Sequence, residues 1–347
     1  MFRTSRQALT SLLPLAALVL SVASATAAAP PRPAAPPTAQ AKAPAQRTFA
    51  KAEDAVNALL TAMKSDDEAA LRAIFGPESE DVLSSGDPVA DRNGRRVIAI
   101  AFQRTWSLSD LDETTKEIVI GREEWPFPIP LVLENGAWRF DTAAGKDEIL
   151  ARRIGRNELS TLRHCQTYVI AQREYAEAAH DGRPAGAFAQ KFISDQDTQN
   201  GLYWPPTADA PLSPLGPLFT EATSEGYAIG QAERPRAFHG YVYRILTAQG
   251  PGAPGGARNY IVKGDMTGGF ALIAWPADYR NSGIMTFILN QDGVIYEKDL
   301  GENTTRLVGE IKAFNPDESW TKVELESEPE AEAQPEQQPQ RIPQPDR

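Results

Sequence analysis

The densest run of strand and turn signals in the chain lies in residues 239–299. Apolar stretches rich in β-branched and aromatic residues occur there at residues 239–246, 260–262, 269–275, 283–289 and 294–298. The sequence Asn-Gln-Asp-Gly at residues 290–293 separates the last two stretches, and an Asp-Gly pair between such runs is a strong hairpin signal. The pattern therefore predicts an antiparallel meander. Its apolar face needs a cover, and an amphipathic helix predicted over residues 157–179 is the best candidate.

That helix has a cap signal and an apolar stripe. Asn157 is expected to be its N-cap. The stripe is predicted to contain Leu159, Leu162, Cys165, Val169 and Ala176. Cys165 is the one cysteine of the 347 residues, so the chain cannot close an internal disulfide. We interpret it as a small buried hydrophobic residue rather than a nucleophile, because the adjacent His164 faces another side of the helix.

The region before that helix has its own alternation of helix and strand signals. Helices are predicted over residues 49–63, 66–76 and 88–105, and strands over residues 117–121, 129–133 and 137–141. Asp66 is expected to cap the second helix, and Pro88 stands at a permitted first-turn position of the third. The prediction is an α+β chain of two domains, residues 48–155 and 156–321, each with helices packed on an antiparallel sheet.

The two ends of the chain differ from this folded region in composition. Residues 1–27 combine Arg3 and Arg6 with an apolar run and small residues, which is the pattern of a cleaved secretory signal. Residues 28–47 are rich in Ala and Pro, and residues 322–347 in Glu, Pro and Gln, which predicts a disordered linker and a disordered tail. The mature chain is thus expected in the periplasm or the medium, without a stable transmembrane segment.

Charged and aromatic residues of the first domain are the candidate ligand contacts. If its sheet closes as a cone, the mouth is expected to collect Asp87, Asp91, Arg92, Trp125, Phe127, Asp141 and Lys146. Structural interpretations stand beside this one: Asp87 is also suited to cap a helix, and Asp91 to pair with Arg95 on one helix face. Trp125 and Phe127 also fit a proline-rich edge strand whose aromatic side chains belong to the core.

The second domain offers candidate partner contacts and one candidate metal site. The aromatic residues considered for a protein partner are Tyr203, Trp204, Trp275 and Tyr279. Asn290, Asp292 and Asp299 offer oxygen ligands suited to calcium, although a plain hairpin turn explains the same residues. Three scattered histidines give no zinc spacing, and nucleotide and hydrolase motifs are absent, so no cofactor is expected. A formal net charge of −11 gives no indication of nucleic-acid binding.

Three resemblances accompany these patterns. Helices followed by a curved sheet ending in Gly-Ala-Trp-Arg-Phe, residues 136–140, are similar to the cone-shaped domains of the nuclear transport factor 2 type, which often enclose a pocket. A long helix, an aromatic irregular region and a meander resemble the heads of type IV pilins, although here the helix is internal. Further motifs lie at residues 85–92, 125–130, 138–146, 153–158, 201–205, 244–250 and 290–299. With these the whole chain resembles a bacterial exported family numbered 2950 among domains of unknown function, which implies no mechanism.

Three functional hypotheses remain open at this point. The first is a non-catalytic binding or assembly module of the cell envelope with a protein partner, favoured because no catalytic constellation is recognisable. The second is a receptor for a small ligand with a pocket in the first domain. The third is an unfamiliar enzyme that uses carboxylates such as Asp87 and Asp141 as acid and base.

Overall fold

A computed structural model describes residues 45–207, 211–230 and 236–324. The predicted secretory signal, nearly all of the predicted linker and nearly all of the predicted tail lie outside these described residues. Within them the architecture is α+β, with helices packed on antiparallel sheets, as predicted. None of the helices in these ranges is both long and apolar enough to cross a membrane.

The first half starts with a group of helices. They are α1 (Ala52–Ser65), α2 (Glu68–Phe75), α3 (Ser79–Leu83) and α4 (Pro88–Arg104), with a 3₁₀ turn at Gly76–Glu78 between α2 and α3. The α2 cap is Asp67, whose carboxylate accepts a hydrogen bond from Ala70 N at 2.9 Å. The expected cap, Asp66, is therefore wrong by one residue. Asp66 instead ends α1 in the left-handed conformation and binds the Arg95 guanidinium at 2.7 Å.

An antiparallel sheet follows these helices. Its strands are β1 (Trp106–Asp110), β2 (Thr115–Ile120), β3 (Trp125–Pro126), β4 (Leu131–Glu134) and β5 (Ala137–Phe140). The order is β1-β2-β4-β5, and β3 also pairs with β2. The sheet and α1, α2 and α4 bury one cluster of side chains, in which Phe75 and Phe127 each meet Phe140 edge to face. The first domain's predicted strands are confirmed, whereas β1 was not predicted.

The longest element, α5 (Thr142–Ala176), runs through both halves of the fold. Its N-cap is Asp141, so the predicted start at Asn157 is wrong, and the predicted domain boundary at residue 155 falls inside the helix. Its first turns lie so close to the first sheet that a Cβ at Gly145 would stand 2.6 Å from Pro128 O. Its later turns add Cys165, among others, to the second core. The described residues form one compact unit with two hydrophobic clusters, and a division into two domains stays a prediction.

The predicted stripe of α5 is correct only in part. Cys165 and Val169 are buried, but the Leu159 side chain is 60% exposed. Six residues separate Leu159 from Cys165, which at about 100° per residue places the two on different sides of the helix. The buried stripe instead follows a three- and four-residue spacing through Thr161, Cys165, Tyr168, Gln172 and Tyr175. It mixes polar and apolar side chains, and burial raises the pKa of the Cys165 thiol, which suits a structural residue.

The second half carries the predicted meander. Its elements are α6 (Gly216–Glu225), β6 (Tyr241–Leu246), β7 (Ala248–Gln249), β8 (Arg258–Asn259), β9 (Ile261–Val262), β10 (Asp265–Met266), β11 (Ala271–Pro276), β12 (Met285–Asn290), β13 (Ile295–Asp299), a 3₁₀ turn at Gly301–Asn303, α7 (Thr304–Glu310) and β14 (Thr321–Lys322). The antiparallel order is β14-β13-β12-β11-β6, and two short ribbons, β7 with β8 and β9 with β10, are inserted between β6 and β11. The Asp-Gly hairpin is confirmed, because Leu289 pairs with Ile295 and Gly293 has φ 79°.

Hydrogen bonds attach to the fold three stretches whose composition is typical of flexible segments. At the end of the predicted linker, Gln46 Nε2 donates to Ile74 O at 2.9 Å and to Phe140 O at 2.7 Å. At the start of the predicted tail, Val323 N donates to Ile295 O at 2.9 Å. In the Gly/Pro-rich loop between β7 and β8, the buried Gln249 amide donates to the Gly256 carbonyl at 2.7 Å. The folded region is therefore longer at both ends than composition predicts.

Candidate ligand-binding cleft

A cavity of about 980 Å³ lies among α5, α6, the loop before α4 and the strands β6 and β11. Its wall is largely apolar and aromatic, and the phenyl, phenol and indole side chains in it are Tyr168, Phe192, Phe219, Tyr227, Phe238, Tyr243 and Trp275. Most of the wall comes from the second half of the fold, while residues 86–89 come from the first. The cavity is therefore not the cone pocket that the sequence predicts for residues 48–155.

Asp87 is the carboxylate at the edge of this cleft, and all its lone pairs are in use. Its Oδ1 accepts hydrogen bonds from Val89 N at 3.2 Å and Ala90 N at 3.1 Å, which makes it the N-cap of α4. Its Oδ2 accepts from Tyr227 Oη at 2.8 Å and from Gly240 N at 3.1 Å. An ionised carboxylate offers about four lone-pair sites, so four donors saturate Asp87. The residue is 2% exposed and joins three separate segments.

Tyr227 lines the cleft, and its hydroxyl group donates a hydrogen bond to Asp87. Burial raises the pKa of the phenol, and the neighbouring Asp87 carboxylate raises it further. The phenol also accepts a hydrogen bond from His239 N at 3.3 Å. Beside it, His239 Nε2 lies 3.0 Å from the Glu225 carboxylate at the end of α6. Tyr227 is thus a protonated donor already engaged within the protein.

His164, on α5, is the imidazole in the cleft wall. Its Nδ1 lies 2.9 Å from Tyr243 Oη, and its ring stacks on Phe238 with centroids 4.7 Å apart. Burial lowers the pKa of the ring to about 3, and the nearby His239 and Arg163 lower it in the same direction. At neutral pH the ring is therefore uncharged, and its two nitrogens differ: one carries the proton and the other a lone pair.

Outside the cleft wall, a buried arginine connects the two halves of the fold. The Arg153 guanidinium donates to Asp81 O at 3.1 Å, Ser84 O at 3.3 Å and Val82 O at 2.7 Å. It also donates to the side-chain oxygen of Asn281, in the loop between β11 and β12. Arg153 is 7% exposed, and burial lowers the pKa of its guanidinium. One side chain from α5 thus binds the end of α3 in the first half and a loop in the second.

Of the residues predicted to bind a ligand, Asp87 alone is in the cleft wall, and it is also the predicted helix cap. Asp91 accepts from Ser85 N at 3.0 Å, and its pKa is raised by burial. The predicted pairing of Asp91 with Arg95 is wrong, since Arg95 binds Asp66 and Glu68.

The others of this predicted set lie elsewhere. Arg92 is 3.9 Å from Asp66, Asp141 caps α5, and Lys146 pairs with Asp81. Trp125 is partly exposed with the Arg152 guanidinium 4.9 Å from its ring centroid, and Phe127 belongs to the first core. These residues therefore do not meet at one site.

The predicted partner and metal residues are also spread over the fold. Tyr203 stacks on Phe219 with centroids 4.2 Å apart, and Trp204 is buried with Nε1 donating to Pro211 O at 2.9 Å. Trp275 lines the cleft, and Tyr279 Oη donates to the Asp299 carboxylate at 3.1 Å.

The candidate calcium ligands lie at opposite ends of one hairpin. Asn290 Nδ2 donates to Asp292 Oδ2 at 3.1 Å beside the turn. Asp299 pairs with Met285, five residues along β12 from Asn290. At about 3.3 Å per residue the separation is roughly 16 Å, so one ion cannot bind both. Within the described ranges no group of three or more His, Cys, Asp or Glu side chains is placed to hold a metal.

Comparison with known families gives one match over most of the chain. Residues 46–323 match the family model described as a protein of unknown function, DUF2950. The chain belongs to this family. No curated protein and no solved structure matches this DUF2950 member. The resemblances to pilin heads and to nuclear transport factor 2 cones therefore stay predictions.

Sequence reasoning missed most of the cleft of this DUF2950 member. Its aromatic wall comes largely from residues 188–238, where strand and helix signals are weak. Two signals were present: the high density of aromatic residues there, and Pro217, which stands in the first turn of α6. For His164, which follows no apolar spacing of its own, the sequence gives no signal that it faces a cavity.

The saturation of Asp87 leads to a stability prediction. Asp87→Ala is expected to lower the free energy of unfolding by about 2 to 3 kcal/mol, because it removes a helix cap and leaves two further buried donors unpaired. Asp67→Ala is the matched control: Asp67 also caps a helix, but it is exposed and accepts only from Ala70 N, so a loss of about 1 kcal/mol is expected. Urea unfolding at neutral pH measures both. Equal losses would mean that the bonds to Tyr227 and Gly240 contribute nothing.

Proposed function

We propose that the chain is an exported, non-catalytic binding protein that holds an apolar, at least partly aromatic, small molecule in the cleft. The observation that carries this proposal is the cavity of about 980 Å³ with an aromatic and aliphatic wall. Cavities of several hundred Å³ with apolar walls and a few placed polar groups are typical of sites for small molecules. The predicted secretory signal of residues 1–27 supports a role outside the cytoplasm.

The state of the polar groups in the wall favours binding over catalysis. A general base needs a free lone pair and a pKa near the working pH. The Asp87 carboxylate is saturated by four donors, and the raised pKa of Tyr227 keeps that phenol protonated. The lowered pKa of His164 makes its imidazole a weak base. These groups can orient a ligand, but they are poorly suited to move its protons.

The positions and contacts of the predicted partner residues favour a small molecule over a protein partner. Trp204 is buried, and Tyr203 is occupied by its stack on Phe219. Trp275 faces the cleft, where a small apolar molecule can reach it. An envelope protein partner stays a prediction from the sequence, whereas the cleft offers a defined site.

A fluorescent apolar probe tests the proposal. N-phenyl-naphthylamine emits strongly only in an apolar environment, and its emission is expected to rise as it binds the full mature chain. Leu218→Arg places a charge in the cleft wall and is expected to weaken the affinity at least about tenfold. Leu212→Arg is the matched control, because Leu212 is 76% exposed and does not line the cleft, and it should bind the probe as the unmodified protein does.

The result that would contradict the proposal is equally definite. Circular dichroism and thermal unfolding first establish that both variants are folded. Absence of saturable probe binding to the unmodified protein would refute an apolar ligand site. Binding that Leu218→Arg and Leu212→Arg reduce equally would place the probe outside this cleft.

A further inference from the structure

We infer that the ligand of the cleft carries a hydrogen-bond donor, such as a phenolic hydroxyl or an aromatic N–H group, which donates to Nε2 of His164. This inference rests on the proposed function and specifies the chemistry of its ligand. It follows from a chain of hydrogen bonds that starts on α5 and ends at the imidazole ring in the cleft wall.

This series of hydrogen bonds fixes which atom carries each proton. Thr161 Oγ1 donates its one proton to Asn157 O at 2.9 Å. It can therefore only accept from Tyr243 Oη, which lies 3.2 Å away. The Tyr243 proton is thereby used, so the phenol oxygen must accept from His164 Nδ1 at 2.9 Å.

The ring is therefore the tautomer with its proton on Nδ1. Because His164 is uncharged at neutral pH, Nε2 then carries a lone pair and no proton. The atom facing a ligand at this point is an acceptor. A ligand group that only accepts hydrogen bonds gains nothing from it.

Nε2 has no partner among the described residues, and it is not sealed inside the protein. The buried side-chain nitrogen and oxygen atoms without a partner in these ranges are Arg183 Nη1 and Thr286 Oγ1. His164 Nε2 is not one of them, so it retains accessible surface, and the residue lines the cleft. The face of the ring stacks on Phe238 and Nδ1 is bonded to Tyr243, so Nε2 is the ring atom left to bind a ligand.

The other polar groups of the wall give different information. Asp87 and Tyr227 are engaged with each other and with backbone groups. Arg236, an exposed residue of the wall, would favour an anionic ligand instead. A neutral donor fits the inner part of the cleft better, because Asp87 and the His164 lone pair both disfavour a carboxylate there. The anion is the competing outcome of the test.

Competition for N-phenyl-naphthylamine on the full mature chain separates these chemistries. The competitors share one biphenyl skeleton: para-phenylphenol donates, para-methoxybiphenyl only accepts, and biphenyl-para-carboxylate is an anion. Each competition constant is corrected for the probe affinity of the same variant. The phenol is expected to bind about threefold to tenfold more tightly than the ether, which is the usual range for one neutral hydrogen bond.

Two variants assign the preference to one nitrogen. His164→Phe keeps an aromatic ring against Phe238 but removes Nε2, so the ratio of phenol to ether affinity should fall to about one. Arg236→Gln should leave that ratio unchanged. Equal affinities for phenol and ether in the unmodified protein would overturn the inference, as would a preference for the carboxylate that Arg236→Gln removes. Either result would leave the proposed function standing, whereas a failure of the probe itself to bind would refute both.

Discussion

Replacing Arg153 by methionine is expected to lower the free energy of unfolding by about 3 to 5 kcal/mol. Methionine fills much of the same volume but donates no hydrogen bonds. The carbonyl groups of Asp81 and Val82 and the side-chain oxygen of Asn281 would lose their donor, and Ser84 O would keep only its bond from Asn281 Nδ2. A buried acceptor without a partner costs about 1 to 3 kcal/mol, and partial rehydration of the site keeps the sum below the simple total.

The neighbouring arginine provides a matched control for this change. Arg152 forms an ion pair with Glu148 one turn away, and its side chain is 38% exposed. Arg152→Met is expected to cost about 1 kcal/mol or less, as exposed pairs and exposed cation–π contacts do. Urea unfolding followed by far-ultraviolet circular dichroism compares the two variants at one pH. If both changes cost the same, the bonds of Arg153 to the end of α3 and to the Asn281 loop do not stabilise the fold.

Arg153 also explains why the sequence predicts the parts of this fold better than their arrangement. Most predicted helices and strands are present, because apolar periodicity and the Asn-Gly and Asp-Gly turns are local signals. The bonds of Arg153 to residues 81–84 and to Asn281 join positions about 70 and 130 residues apart. No local pattern encodes such a contact, and the start of α5 was misplaced for the same reason. Residues 142–156 have a weak apolar periodicity. Their helix is stabilised by contacts with α3 and with the segment that leads into β4.

Of the residues that the sequence predicts as ligand or partner contacts, Asp87 and Trp275 line the cleft. Asp87 followed by Pro88 has the local signature of a helix cap, and the structure confirms that interpretation. Its second pair of hydrogen bonds, to Tyr227 and Gly240, spans about 140 and 153 residues and was not predictable. The charged residues of the expected cone mouth have partners within the first half. Arg92 and Lys146, for example, lie beside Asp66 and Asp81.

The cleft itself results from long-range packing of an irregular segment. Residues 188–238 contain α6 and little other regular structure, so their aromatic side chains have no periodicity from which to infer a common face. They converge because α5 and the meander form a surface on which they pack. The uncharged state of His164 is a consequence of that convergence, since the stacked ring of Phe238 and the aromatic wall remove most of the water around it.

The uncharged state of His164 leads to a pH prediction of similar size to that for Arg153. The pKa of its ring is about 3 in the folded protein and about 6.5 in an unfolded chain. Between these values the unfolded chain binds one more proton than the folded protein. The stability that depends on this residue is therefore fully present above pH 6.5 and is lost as the pH falls towards 3. The expected slope is about 1.4 kcal/mol per pH unit, or roughly 3 kcal/mol between pH 6.5 and 4.5.

A comparison with His164→Phe isolates this contribution from those of the carboxylates. Asp91 acts in the opposite sense, because its raised pKa makes the folded protein bind a proton more readily as the pH falls. The charged and titratable groups around the ring, His239, Arg163 and Tyr243, are present in both proteins. Urea unfolding from pH 7.5 to 4.5 should therefore give a difference in unfolding free energy that changes by roughly 3 kcal/mol in favour of His164→Phe. Parallel pH profiles would mean that the folded protein admits a proton to His164, so that its Nε2 could not serve as a permanent acceptor in the cleft.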